Sequence, residues 1–259
     1  MHTSYSDDCQ APMEQMISKA IAQGFEEIAL TDHVDFVGAY SCMINYNEYI
    51  QQLSTLKEKY SGKIRITLGV EIGFAQELPK VAEDLASKYP FEFVIASTHA
   101  LLGRDMSGER EELFFSRTKR EAYELYFQHM LEGVRSMQSF SVVGHLDAVE
   151  RYGYYNDNRA YYHEYSELID ALLREIILMG KGIELNTSGF RYGLGHPHPH
   201  IDILRRYKEL GGEIITLGSD AHRPGDIGAN FYEAEEILKE AGFKAITIFR
   251  EKKPKWVNL

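Results

Sequence analysis

Six short apolar runs in this chain each end on side chains able to bind a cation or handle a proton. Ile28-Ala29-Leu30-Thr31 leads into Asp32 and His33, the run 66–70 into Glu71, and the run 93–98 into His99. Ser141-Val142-Val143-Gly144 leads into His145-Leu146-Asp147, Ile183-Glu184-Leu185 into Asn186-Thr187-Ser188, and the run 214–219 into Asp220-Ala221-His222. A single histidine after a strand is usually satisfied by a backbone carbonyl. Six polar endings together point to one shared site, because parallel strands deliver their C-terminal ends to one face.

Neutral imidazole and carboxylate suit Zn²⁺, Mn²⁺ or Fe²⁺, and the lack of cysteine at these positions argues against a structural thiolate zinc site. His33, His99, His145, His222, Glu71 and Asp220, joined by the N-terminal His2 and Asp8, exceed what one ion needs. Two or three divalent ions are implied, with Glu71 bridging, since a carboxylate can span two ions and imidazole cannot. Clusters of this kind hydrolyse phosphate esters by acidifying bound water and neutralising the attacking and leaving oxygens. Catalysis is assigned to Glu71, Asp220 and His222. Arg151 and Arg191, just beyond two of the strand ends, are candidates to hold a phosphate bidentately.

The elements that must position these residues read as alternating strands and helices. Strands are expected at Glu27–Thr31, Ile64–Val70, Phe91–Ser97, Ser141–Gly144, Gly182–Leu185 and Glu213–Leu217. Helical spacing fills Ala11–Gln23, Tyr46–Tyr60, Glu77–Lys88, Thr118–Ser139, Tyr161–Met179, His200–Leu210 and Asn230–Ala241, several of them followed by the glycine that ends many helices. A last strand, Ala245–Phe249, runs into the basic tail Arg250–Lys255 and reads as an exposed edge guarded by lysines. Six βα units without a composition break fit a parallel barrel or a doubly wound sheet; ligands at every strand end favour the barrel.

Bulk properties exclude several functions. Thirty-nine acidic against 28 basic residues give a net charge of −11, which repels a nucleic-acid backbone, although bound cations can still attract a small anionic substrate. Cys9 and Cys42 do not make a disulfide framework and suggest a reducing compartment. The sequence shows neither a run of about 18 apolar residues nor the layout of a signal peptide. A single domain over residues 1–259, in the cytoplasm and away from membranes, is expected.

The set His2-Thr3-Ser4-Tyr5-Ser6-Asp7-Asp8, Thr31-Asp32-His33, Gly69-Val70-Glu71, Ser97-Thr98-His99, Gly144-His145-Leu146-Asp147 and Ser219-Asp220-Ala221-His222 resembles the PHP (polymerase and histidinol phosphatase) superfamily, across essentially the whole chain and in family order. Chain length and the Asn186–Arg191 segment look most like its stand-alone histidinol-phosphate phosphatases. The resemblance implies a distorted (β/α)7 barrel, a trinuclear site and release of phosphate from L-histidinol phosphate in histidine biosynthesis. Carried over, His2, Glu71 and Asp220 hold one ion, Asp8, His33 and His222 a second, and Glu71, His99 and His145 a third. Asp8 stands where many members have histidine. The family opens on a strand ending in His-x-His, of which His2 is the second histidine; the first barrel strand is therefore truncated here, and a longer natural N-terminus is expected to supply it.

Alternative readings are a PHP phosphatase acting on phosphotyrosine or nucleotides, and a degenerate barrel that binds metal or a partner without catalysis. The run His196-Pro197-His198-Pro199-His200 looks like a metal motif, but alternating prolines hold it extended and keep the rings apart. It reads as a rim loop, with His196 or His198 as possible substrate contacts. His129 and His163 read as structural or exposed, and the tyrosines at 152, 154, 155, 161, 162 and 165 as packing or pocket lining.

Overall fold

The computed structural model describes residues 1–36, 44–74 and 79–259; Cys42 and the first two residues of the stretch expected at Glu77–Lys88 lie outside them. Helix α1 (Met13–Ala22) comes first, then strand β1 (Glu27–Leu30) and the short β2 (His33–Val34). Helix α2 (Tyr46–Lys59) leads to the long β3 (Arg65–Gly73), and α3 (Pro79–Lys88) to β4 (Phe93–Ser97). A small hairpin of β5 (Ala100–Leu101) and β6 (Arg104–Asp105), the short α4 (Arg110–Phe114) and α5 (Lys119–Ser136) precede β7 (Val142–Val143). Next come α6 (Ser166–Leu178), β8 (Gly182–Asn186), α7 (Ser188–Arg191), α8 (Ile201–Glu209), β9 (Ile215–Gly218) and α9 (Phe231–Glu240). The hairpin β10 (Ala245–Arg250) and β11 (Lys253–Asn258) is the last element.

Strands β1, β3, β4, β7, β8 and β9 lie side by side in that order, every pairing parallel. These are the six strands expected. The sheet curls until β1 and β9 approach each other: the Met1 carbonyl accepts from Thr31 N–H at 2.9 Å, and His2 N–H donates to Ala221 at 2.9 Å. Met1–Thr3 thus bridges the ends of the two outermost strands. Deeper in the same gap, a cavity of about 290 Å³ is lined by Ala29, Ile95, Leu217, Phe231, Ile246 and Phe249, among others.

Residues alternate between the two faces of each strand, as strand geometry requires. On β3, Ile66, Leu68, Val70 and Ile72 pack into the main core, while Glu71 turns to the barrel axis. On β4, Val94 and Ala96 join that core and Phe93 and Ile95 form a second cluster with Val142 and Phe249. The helices are capped as their sequences dictate: Asn45 accepts from Glu48 N–H before α2, and Thr118 with Glu121 forms a reciprocal box before α5.

Three expectations are corrected. Strand β3 runs to Gly73 rather than stopping at Val70, because β2 and β4 pair with its last residues, so Glu71 sits within a strand. Helix α6 starts at Ser166, after a separate turn at Tyr162–Glu164, rather than at Tyr161. The supposed basic tail turns back at Glu251 and Lys252, both left-handed at φ 52° and 64°, and returns as β11. Lacking glycine at those two positions, the turn carries no compositional signal. Nor is the final strand a mere edge: Phe249 is buried and stacks on Phe93 with ring centroids 5.3 Å apart.

Candidate metal centre

Glu71 lies at the middle of the site. Its Oε1 is 3.0 Å from His99 Nε2 and 3.1 Å from His145 Nε2, and accepts from Ser97 Oγ at 2.7 Å. Its Oε2 faces His2 Nε2 at 3.5 Å and His33 Nδ1 at 4.0 Å. One carboxylate therefore points its two oxygens at two different groups of imidazoles.

The opposite wall comes from the loop after β9 and the N-terminal loop. His2 Nε2 is 3.2 Å from Asp220 Oδ1, and His222 Nε2 is 2.9 Å from Asp8 Oδ2 and 3.4 Å from His33 Nε2. His2 is stacked between His33 and His222, each centroid 4.1 Å away. Asp220 has φ 51°, a left-handed conformation that aspartate tolerates better than most residues. Arg191 grips this turn by donating to the carbonyls of Ser219 and Asp220.

The donor set fits cations. Nitrogens around a tetrahedral ion bound at about 2.0–2.1 Å stand roughly 3.3–3.4 Å apart, close to the spacings between His99 and His145 and between His33 and His222, both 3.4 Å. Donor atoms of His2, Glu71 and Asp220, of Glu71, His99 and His145, and of His2, His33 and His222 each fall within one ion's reach. The outward ring nitrogens of His99 and His222 are tied. His99 Nδ1 donates to Asp35 Oδ1 at 2.9 Å and His222 Nδ1 to the Asp220 carbonyl at 3.0 Å, which turns each Nε2 toward the centre.

The inner carboxylates are held anionic, while against burial the neighbouring carboxylates push the pKa of His99 and His222 upward. Burial raises the pKa of Glu71, but His33, His145 and His99 more than reverse this and hold it well below the usual carboxylate range. Asp220 is likewise held anionic against burial by His2 and Arg151. Burial, with His33 beside it, pushes His2 down to about 3, leaving the neutral imidazole that ligation requires. Asp8, 58% exposed, is the outermost member, its pKa brought down to about 2 against its partial burial by His222 and His33.

Several supports come from residues to which the sequence assigned no role in the site. Buried Asp32 accepts from Thr3 N–H at 2.6 Å, Thr3 Oγ1 at 3.0 Å and Ser6 Oγ at 2.8 Å, which fixes the loop carrying His2 and Asp8. A Cβ on Gly73 would collide with the Asp35 carboxylate, and one on Gly218 with that of Glu184. Glu184 is buried beneath the centre and accepts from His145 N–H at 3.2 Å and Asn186 Nδ2 at 3.0 Å; burial raises its pKa. The signals were present as Asp35 two residues after His33 and Glu184 inside an apolar strand, a polar residue where only inward-facing function would place one.

Of the two arginines, Arg151 is buried beside the centre, with Nη1 3.6 Å from Asp220 Oδ2. Arg191 stands farther out, bonded to backbone. The proline-rich run is corrected: His196 and His200 rings do converge, at 4.9 Å, and His198 is fully buried, its Nδ1 donating to Asp147 and its Nε2 accepting from Arg151 Nε at 2.9 Å. A fully buried imidazole with both nitrogens engaged lines no open pocket, so of the two expected contacts His196 remains. Asp147, Glu150 and His196 also lie within one ion's reach, but Asp147 is taken by His198 and His200 N–H, and His196 faces Glu150 at 3.1 Å. His129 is buried in α5, where desolvation lowers it to about 4. Tyr123, Tyr126 and Tyr165 are core, and the exposed Tyr154 packs on Phe115.

A curled parallel α/β barrel whose strand ends gather imidazoles around a buried carboxylate defines a metal-binding barrel. The PHP domain family matches residues 1–188, and the chain belongs to that family. It is 31% identical over 249 residues to the histidinol-phosphatase of Lactococcus lactis, covering 96% of this chain and 92% of that one. A probable histidinol-phosphatase of Clostridium acetobutylicum is 31% identical over 252 residues, with 95% and 94% covered. The crystal structure of the Lactococcus lactis enzyme, complexed with zinc, L-histidinol and phosphate, superposes with a TM-score of 0.90 at 30% identity over 98% of this chain and 97% of that one. A structure of a histidinol phosphatase homologue from Listeria monocytogenes, at 19% identity and TM-score 0.80, shares the fold.

Proposed function

We propose that this chain is a metal-dependent histidinol-phosphatase that hydrolyses L-histidinol phosphate to L-histidinol and phosphate. The observation that carries the reading is the near full-length likeness to a relative complexed with zinc, L-histidinol and phosphate, combined with the Glu71-centred donor set in this chain.

Three ions are assigned. His2, Glu71 and Asp220 would hold one, Asp8, His33 and His222 another, and Glu71, His99 and His145 a third. Once bound, the ions activate water and offset charge on the phosphoryl oxygens. Glu71 would serve two of these sets, and its anionic state is secured by the histidines around it. Arg151 offers its remaining N–H groups to the phosphate, and Arg191 holds the turn that presents Asp220 while contributing positive charge at the rim. His196, on the same side of the barrel mouth, is the candidate contact for the rest of the substrate.

The test is a comparison of kcat/KM for L-histidinol phosphate, phosphotyrosine and nucleoside monophosphates on the metal-loaded protein. The expected result is a preference of more than tenfold for the first. A smaller preference transfers the site to another phosphate ester.

A further inference from the structure

His198 has no part in any donor set around Glu71, yet it is among the most thoroughly enclosed polar residues in the protein. Its backbone is fixed to the end of β8 by two hydrogen bonds with Asn186, at 2.6 and 2.8 Å. That bridge drives the ring inward between Asp147 and Arg151. The Asp147 carboxylate accepts from Nδ1, which leaves Nε2 as a pure acceptor, and Arg151 Nε–H fills it at 2.9 Å. Burial and the adjacent Arg151 lower His198 to about 4, so the ring stays in this neutral form through the physiological range.

Arg151 is held from three further sides. Nη2 donates to Ser188 Oγ, Nη1 faces Asp220, and the Tyr192 ring lies 4.4 Å from the guanidinium carbon. Ser188 is in turn fixed by Asn186 Oδ1. A guanidinium has five N–H groups in a rigid fork. With Nε spent on His198, rotation about the side-chain axis is fixed, and the remaining N–H groups at the two Nη atoms keep one direction.

We infer that His198 is a positioning residue: through the chain Asp147–His198–Arg151 it sets the orientation of the Arg151 fork for the phosphoryl group. The inference rests on the reading of Arg151 as a phosphate ligand. It gives the His-Pro-His-Pro-His run a role in the reaction without contact to substrate or metal, and makes Asp147 the residue that selects the ring's proton arrangement.

The experiment measures binding of inorganic phosphate and the KM for L-histidinol phosphate on metal-loaded protein, with metal content checked in each variant. His198→Ala is expected to weaken phosphate binding and raise KM about tenfold to a hundredfold, the loss of a hydrogen bond to a charged group, with metal content unchanged. His198→Gln, which restores an acceptor near Nε2, is expected to recover most of both. In an Arg151→Ala background, His198→Ala should add nothing, because its effect passes through the arginine. Phosphate affinity within twofold of the parent in His198→Ala overturns the inference, as does an equal loss on the Arg151→Ala background. If His198→Ala fails to fold, a folded His198→Gln with affinity as poor as that of Arg151→Ala overturns it. Arg151→Ala leaving phosphate binding intact overturns the reading beneath it instead.

Discussion

The Nδ1 of His99 stands 2.9 Å from Oδ1 of Asp35, and that contact decides which ring nitrogen of His99 faces Glu71. Carboxylates behind ligating histidines typically contribute 10- to 100-fold in metal affinity or activity. Asp35→Ala is accordingly expected to weaken metal binding by about that factor while leaving the fold intact. Metal titration by calorimetry checks it; unchanged affinity would show that His99 is oriented by other means.

Glu71 itself should be far less tolerant. Its two oxygens address two imidazole groups, one facing His99 and His145 and the other His2 and His33. Removing it in Glu71→Ala should cost more than the roughly 100-fold of a supporting residue and lower the number of ions bound. Turnover near the parent's would refute the bridging role.

Asp32 predicts an effect on stability. Its substitution by alanine strands Thr3 N–H, Thr3 Oγ1 and Ser6 Oγ in a buried place, at a cost of about 1–3 kcal/mol for each unsatisfied group. A loss of about 3 kcal/mol in denaturant unfolding is expected, since the loop can partly rearrange. Asp32→Asn, which keeps an acceptor, should lose much less.

Much of this site was legible because barrel geometry turns a one-dimensional rule into a three-dimensional one: residues just past the end of one parallel strand meet those just past the ends of its neighbours. His33, His99, His145, Asp220 and His222 obeyed it. Glu71 reaches the centre by another route: it lies inside β3, and alternation turned it inward. Sequence hid the support that acts across long separations, such as Asp35 behind His99 or Asp147 behind His198, 51 residues apart. Alternating prolines suggested separated histidines, but the loop's path was set by a two-residue bridge to Asn186 that no local pattern encodes. The closing hairpin was missed because its turn uses Glu251 and Lys252, residues that normally avoid φ > 0.

Acid should expose a second, independent feature. Hydrogen bonds from Arg206 hold Asp170 down to about 2, below the ordinary value of 3.8. A depressed carboxylate contributes stability that is complete above the unfolded pKa and is lost as pH falls through the folded one. Unfolding measured from pH 5 to pH 2 should therefore show stability falling between about 4 and 2, and Asp170→Asn should flatten that slope. An unaltered slope would assign the acid loss to other carboxylates.

Phosphate release from L-histidinol phosphate should depend on the number of ions bound at the Glu71 centre. Protein stripped by a chelator, then titrated with zinc or manganese, should show no turnover without metal and regain it as two to three equivalents bind. Retained turnover in the stripped protein, or full turnover with a single ion per chain, would contradict a multi-ion centre bridged by Glu71.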